Sequence, residues 1–204
     1  MLSSSGFDLW ADGYDRDVGI SDGEDRYPFA GYRAVLGDIF AAVMQKPNAS
    51  VLDIGFGTGT LTAKLYERGC DIYGQDFSAK MLAAASEKMP GAHLYQGDFR
   101  SGLAKPLLER KYDFIVATYS LHHLTDEEKA EFIAMLRRLL NEGGKILIGD
   151  IAFESRAALE ACRREAGDEW DGDEIYFVAD ELRPFYPGLV FKPKSYCAGI
   201  FIIG

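Results

Sequence analysis

The 204-residue sequence is short of positive charge: 22 lysines and arginines stand against 32 aspartates and glutamates, a formal net charge of −10. A chain that neutralises the phosphates of nucleic acid shows a basic face. Here basic pairs such as Arg137-Arg138 and Arg163-Arg164 stand isolated on predicted helices. Nucleic acid and an anionic membrane surface are therefore not expected as partners. Cysteine is scarce as well. Cys70, Cys162 and Cys197 lie far apart, with no C-x-x-C and no H-x-x-x-H beside them, which argues against a disulfide framework and a zinc site. Free thiols suit a reducing cytosol, so a cytoplasmic location is expected. No apolar run approaches the ~18 residues that would span a bilayer. The opening "MLSSSGFDLWADGYD" also lacks the basic and apolar regions of a signal peptide.

What is present is a globular composition, 48% hydrophobic and 26% charged, in a chain of one-domain length. Short β-rich runs at 50–55, 70–75, 92–97, 112–119 and 144–150 alternate with helix-like stretches. One such stretch, "SAKMLAAASEKM", offers Ser78 as N-cap. In "TDEEKAEFIAMLRRLLNEGG", Thr125 and Glu128 form a capping box and Gly143 is the expected stop. Strands alternating with helices predict β-α-β units and a parallel sheet. At the C-terminus "GLVFKP" and "SYCAGIFII" are separated by little more than Lys194, too short for a crossover helix, so they pair antiparallel. The expected fold is α/β, a Rossmann-like doubly wound seven-stranded sheet with helices on both faces. Residues 1–204 are read as one domain: a helical cover over 1–45, a cofactor-binding core over 46–150, and a substrate-side segment with a terminal hairpin over 151–204.

The chemistry centres on "VLDIGFGTGTLT", residues 51–62. A glycine-rich turn between strand and helix lets backbone approach a ligand and aims helix N–H groups at it. Asp76 follows Gly57 by 19 positions, where an acid would take ribose hydroxyls and repel a 2′-phosphate. The dinucleotide fingerprint needs a sixth-position Gly or Ala, but the two registers end on Thr60 and Thr62. Asp53, ahead of the glycines, is unfavourable beside a pyrophosphate and favourable beside an ammonium and a sulfonium. These features select S-adenosylmethionine over NAD.

The runs "VLDIGFGTGTLT", "YGQDFSAKML", "YQGDF", "YDFIVATYSLHHL" and "LNEGGKILIGD" resemble the successive motifs of class I S-adenosylmethionine-dependent methyltransferases. "FDLWADGYD" resembles the first helix of their small-molecule members. The resemblance implies strand order 3-2-1-4-5-7-6 with strand 7 antiparallel. It further implies that Gly55, Gly57 and Gly59 hold the methionine part of the cofactor, with Asp53 beside them. Asp76 would bind the ribose, and Phe77, Asp98 and Phe99 would flank the adenine. Tyr119 would line the methionine moiety. The expected reaction is in-line methyl transfer to an O, N or S atom of a small molecule, leaving S-adenosylhomocysteine, by a monomer or homodimer.

No nucleophile dyad stands out, and the catalytic residue is unassigned. His122 and His123 are candidates for acceptor deprotonation; Tyr14, a further catalytic candidate, reads as a packing residue of the first helix or a lid over the sulfonium. Adjacent histidines point in different directions and no third ligand is evident nearby, so no metal is expected. The acidic run "DEWDGDE" (168–174) lacks a calcium-loop pattern and reads as a solvated loop, the alternative being a patch that draws a cationic substrate. Two alternatives stay open: a non-catalytic S-adenosylmethionine-binding subunit, and an NAD-dependent oxidoreductase. A nucleic-acid methyltransferase is opposed by the charge and by "TYSLHHL" where "NPPY"- or "DPPY"-like residues would stand.

Overall fold

A computed structural model describes residues 26–204. The first described helix, α1 (Tyr32–Val43), precedes strand β1 (Ser50–Ile54). Helix α2 (Thr62–Glu67), β2 (Asp71–Asp76), α3 (Ala79–Lys88) and β3 (His93–Gln96) follow. A short α4 (Lys105–Leu108) leads to β4 (Tyr112–Thr118), then α5 (Asp126–Arg137) and the long β5 (Leu140–Phe153). The chain closes with α6 (Arg156–Ala166), two-residue β6 (Phe177–Val178), α7 (Ala179–Leu182), β7 (Val190–Pro193) and β8 (Ala198–Ile203).

The sheet runs β3-β2-β1-β4-β5-β8-β7, with β6 added beside β5. Pairing is parallel except at β8, which is antiparallel to both β5 and β7. The expected order is therefore observed, with β7 standing for the expected strand 6 and β8 for the antiparallel strand 7; β6 is the addition. The terminal hairpin pairs Val190 with Ile202 and Pro193 with Gly199.

β1, β4 and the second half of β5 are buried at nearly every position because helices cover both faces. Val51, Ile72, Val116 and Leu147 point to one face, against Val35 and Ile39 of α1 and Leu65 of α2. Their neighbours Leu52, Ile54, Ile115 and Ile146 point to the other, against Ile133 and Leu136 of α5. Ser78 caps α3 by accepting from Met81 N at 3.2 Å, and the Thr125–Glu128 capping box opens α5. Gly143 does not stop that helix. α5 ends at Arg137, and the chain is already extended at Leu140, which pairs with Tyr112. Gly143, at φ 73°, instead lies where the β4–β5 register slips, an irregularity that absorbs the extra residues. No helix of the described residues is long and apolar enough to cross a membrane. Residues 1–25, which include Trp10 and the candidate Tyr14, lie outside the described residues.

Candidate active site

β1 ends at Ile54 and the chain turns sharply at Gly55, where φ is 71°. Gly55 N donates to Gln75 O at 2.8 Å, and a Cβ on Gly55 would stand 2.6 Å from Ser120 Cβ. Ser120 Oγ in turn donates to Ile54 O at 2.7 Å. The turns after β1 and β4 are thus locked together, and only a residue without a side chain fits between them. Gly57 has φ 57°, but a Cβ there would meet nothing within 4 Å. At this position the loop presents bare backbone to open space.

Asp76, the last residue of β2, braces that loop. Its Oδ2 accepts from Gly57 N at 2.8 Å and its Oδ1 from Ser78 N at 2.9 Å. Lys88 Nζ reaches back from α3 to Thr58 O at 2.8 Å. Tyr119, after β4, has φ 51°, a conformation uncommon outside glycine that concentrates at functional sites. Its ring packs against Phe29 and Tyr32, with centroids 5.6 and 5.0 Å away.

These elements wall a cavity of about 570 Å³ at the carboxyl ends of β1, β2 and β4, the ligand position of an open α/β sheet. Five carboxylates line it, those of Asp76, Glu169, Asp171, Asp173 and Glu174, with no lysine or arginine among the described lining residues.

The family model described as "Methyltransferase domain" matches residues 51–144. An uncharacterized methyltransferase of Geobacillus sp. (strain WCH70) is 42% identical over 192 residues, 93% of this chain and 85% of the relative. This chain belongs to the class I S-adenosylmethionine-dependent methyltransferase family. Among solved structures, a DhpI complex with S-adenosylhomocysteine superposes with TM-score 0.71 at 18% identity, over 98% of this methyltransferase and 94% of that chain. Magnesium protoporphyrin IX methyltransferase from Synechocystis PCC 6803, with S-adenosylhomocysteine bound, gives TM-score 0.66 at 20% identity, over 84% and 82% of the two chains. These two likenesses concern the fold.

Of the residues singled out in the sequence of this methyltransferase, Gly55, Gly57, Asp76, Phe77, Phe99 and Tyr119 line the cavity. Asp53, Gly59 and Asp98 stand outside its wall, each for a local reason. Asp53 lies beneath the loop, buried, with Oδ2 accepting from the Thr62 hydroxyl and Oδ1 without a hydrogen-bond partner among the described residues. Burial pushes its carboxyl up to about 7; the Thr62 hydrogen bond opposes that shift and the Asp76 charge adds to it. Gly59 faces α3, where a Cβ would meet Met89 Cε at 3.0 Å and Ala85 Cβ at 3.4 Å. Asp98 caps a 3₁₀ turn over Phe99–Ser101 and pairs with Arg100 Nη2 at 2.7 Å. The hydrogen bond from Arg100 holds its carboxyl below the usual range.

Both histidines line the cavity. His122 is buried, with Nδ1 2.6 Å from Asp150 Oδ1 and Nε2 3.3 Å from Glu174 Oε1. Burial alone would lower its pKa, but the two carboxylates outweigh that and raise it to about 10. His123 is pushed down to about 4, by burial and then by the His122 charge. Glu174 and Asp150 escaped the sequence reading. Asp150 ends the motif-like run "LNEGGKILIGD" and Glu174 closes the acidic run read as a solvated loop, but nothing in either run singles out its last carboxylate. What brings Glu174 in is a pair of hydrogen bonds at Ile175. Its N–H donates to His122 O at 2.9 Å, and its carbonyl accepts from the buried Lys129 ammonium. The other side of the same loop is tied to the N-terminal segment, Tyr27 stacking on Trp170 at 5.4 Å and its hydroxyl meeting that of Tyr176.

Proposed function

We propose that this chain transfers a methyl group from S-adenosylmethionine to an O, N or S atom of a small-molecule acceptor. The observation that carries the reading is the charge of the cavity wall. Five carboxylates and no described lysine or arginine line it. Apart from His122, a pyrophosphate would meet like charge there, whereas a sulfonium and an ammonium would meet mostly opposite charge. Aromatic rings from Tyr27, Phe29, Tyr32 and Tyr119 add faces that attract a cation.

When bound, the cofactor supplies a methyl group on a positively charged sulfur. The chain's own residues bind, align and exclude water. In this reading Gly55 and Gly57 cradle the methionine part with bare backbone, and Asp76 accepts the ribose hydroxyls. Phe77 and Phe99 flank the adenine, and Tyr119 closes the methionine side. Asp53 and Gly59 act from behind, seating the loop on α2 and α3, and Asp98 acts through the turn it caps. The segment from Tyr27 to Leu36 and the 169–174 loop form the facing wall. His122, His123 and Glu174 then border the acceptor.

Calorimetric titration with S-adenosylhomocysteine and, in parallel, NADH tests the cofactor. Micromolar binding of the former, about −8 kcal/mol, and none of the latter is expected; the reverse overturns the reading. Incubation with methyl-labelled S-adenosylmethionine and cell extract tests the acceptor. Label in the small-molecule fraction is expected. Label in protein or nucleic acid overturns the acceptor class, and absence of any transfer leaves a binding subunit.

A further inference from the structure

One cluster in the cavity wall has a composition that methyl transfer by itself does not require. His122, His123 and Glu174 each offer a ligand atom, and all of these atoms lie within 4.8 Å of one another. His122 Nε2 and Glu174 Oε1 are 3.3 Å apart. Two donors on a tetrahedral ion with bonds of ~2.1 Å stand about 3.4 Å apart, so this pair already has the spacing of two ligands on one ion.

The opposite nitrogen of His122 supports the same conclusion. Nδ1 meets Asp150 Oδ1 at 2.6 Å, and that oxygen also accepts from Ile151 N at 2.8 Å. Asp150 is wholly buried on β5, so the carboxylate is fixed. A carboxylate behind an imidazole sets the tautomer, leaves Nε2 as the ligating atom and raises its basicity. Glu174 is fixed as well, through Ile175, whose N–H donates to His122 O and whose carbonyl accepts from Lys129 Nζ. All three ligand residues line the cavity, so coordination positions remain open toward it.

We propose that His122 Nε2, His123 and Glu174 hold one divalent transition-metal ion of the zinc or cobalt type, with Asp150 orienting His122. Two imidazoles and one carboxylate suit such borderline ions, whereas magnesium and calcium favour all-oxygen sets. The ion takes the place of the proton between Nε2 and Oε1, which leaves to solvent. Taken with the methyl-transfer reading, an open position on the ion would bind the acceptor's own oxygen or sulfur. It would lower that group's pKa so that it gives up its proton to water before it is methylated. The acceptor class is then a thiol or hydroxyl compound able to ligate a metal. This last step rests on the methyl-transfer reading; the metal site does not.

The test uses the untagged full chain, stripped with a chelator and titrated with Co²⁺ in the absence of cofactor and acceptor. One equivalent per chain with visible d–d bands is expected. His123→Ala and Glu174→Gln, each checked for native circular dichroism, should weaken Co²⁺ binding about 100-fold or more. X-ray absorption of the Zn²⁺-loaded unsubstituted chain needs no variant and should find two imidazoles and oxygen in the first shell. Absence of stoichiometric binding, unchanged affinity in both variants, or sulfur ligation from Cys70, Cys162 or Cys197 overturns the proposal. Because no arm uses S-adenosylmethionine, its failure is distinguishable from failure of the methyltransferase reading.

Discussion

The Asp76 carboxylate accepts the backbone N–H of Gly57, 19 residues earlier in the chain, at 2.8 Å. One side chain at the end of β2 thus holds the glycine loop after β1 and, through Ser78 N at 2.9 Å, the start of α3. Asp76→Ala should weaken S-adenosylhomocysteine binding about 10-fold or more, and should lower stability by about 1–3 kcal/mol because the buried N–H of Ser78 and the partly buried N–H of Gly57 lose their acceptor. Calorimetry and urea denaturation read the two effects separately. Unchanged affinity in the folded variant would remove Asp76 from the site.

Gly55 and Gly57 share a left-handed backbone but differ in surroundings, and that difference separates two alanine variants. Both incur the strain of a Cβ at positive φ, about 1–2 kcal/mol. Gly55→Ala also drives its Cβ to 2.6 Å from Ser120 Cβ, whereas Gly57→Ala points into open space. The expected order is a larger fall in melting temperature for Gly55→Ala, with Gly57→Ala losing ligand affinity at nearly native stability. Equal melting temperatures would contradict the contact with Ser120.

Lys129 is fully buried on α5, with its ammonium donating to Asp126 and to Ile175 O and lying 4.6 Å from the Phe177 ring centroid. Burial lowers its pKa. Lys129→Met keeps the stem but leaves the Ile175 carbonyl without this donor, at a cost of about 2 kcal/mol. That corresponds to a fall of about 4–8 °C in melting temperature. Hydrogen exchange should accelerate at Glu174–Tyr176 beyond the global change; a uniform acceleration would refute the anchoring role.

Asp53 gives a pH dependence with a defined sign. Its folded pKa, about 7, lies above the unfolded value of about 3.9. Below the unfolded value the group is neutral in both states and costs nothing. As pH rises through this window the unfolded chain ionises first, and stability falls, levelling off above about pH 7 with a loss of about 4 kcal/mol. Asp53→Asn removes that loss, so its stability relative to the unsubstituted chain should climb between about pH 4 and about pH 7. Denaturation curves at several pH values measure the difference, and a flat difference refutes the burial argument.

Much of the architecture was legible because it rests on local chemistry. Ser78 and Thr125 cap helices as their side chains require, and the short link at Lys194 leaves β7 and β8 no geometry but antiparallel pairing. The reach of β5 was underestimated at both ends, and Gly143 was read as a helix stop, because Leu140 is claimed by pairing with Tyr112 rather than by its helical propensity. At the site, the loop, Asp76 and Tyr119 were recognisable because each occupies a strand end, where sequence position already implies a place in the cleft. Asp53 and Asp98 carry the same kind of signal, yet Thr62 and Arg100 engage them away from the cavity.

The sequence by itself determined the alternation of strands and helices, the glycine turn, the hairpin and the family. Each of these is written in residues close together along the chain, where periodicity, capping and turn chemistry act. Only the tertiary structure decided which charges meet. Glu174 reaches His122 from 52 positions away and Asp150 from 28, and Tyr27 meets Tyr176 across 149. Nothing local encodes such pairings, because they depend on how β5, the 169–176 loop and the N-terminal segment pack around the ends of β1 and β4.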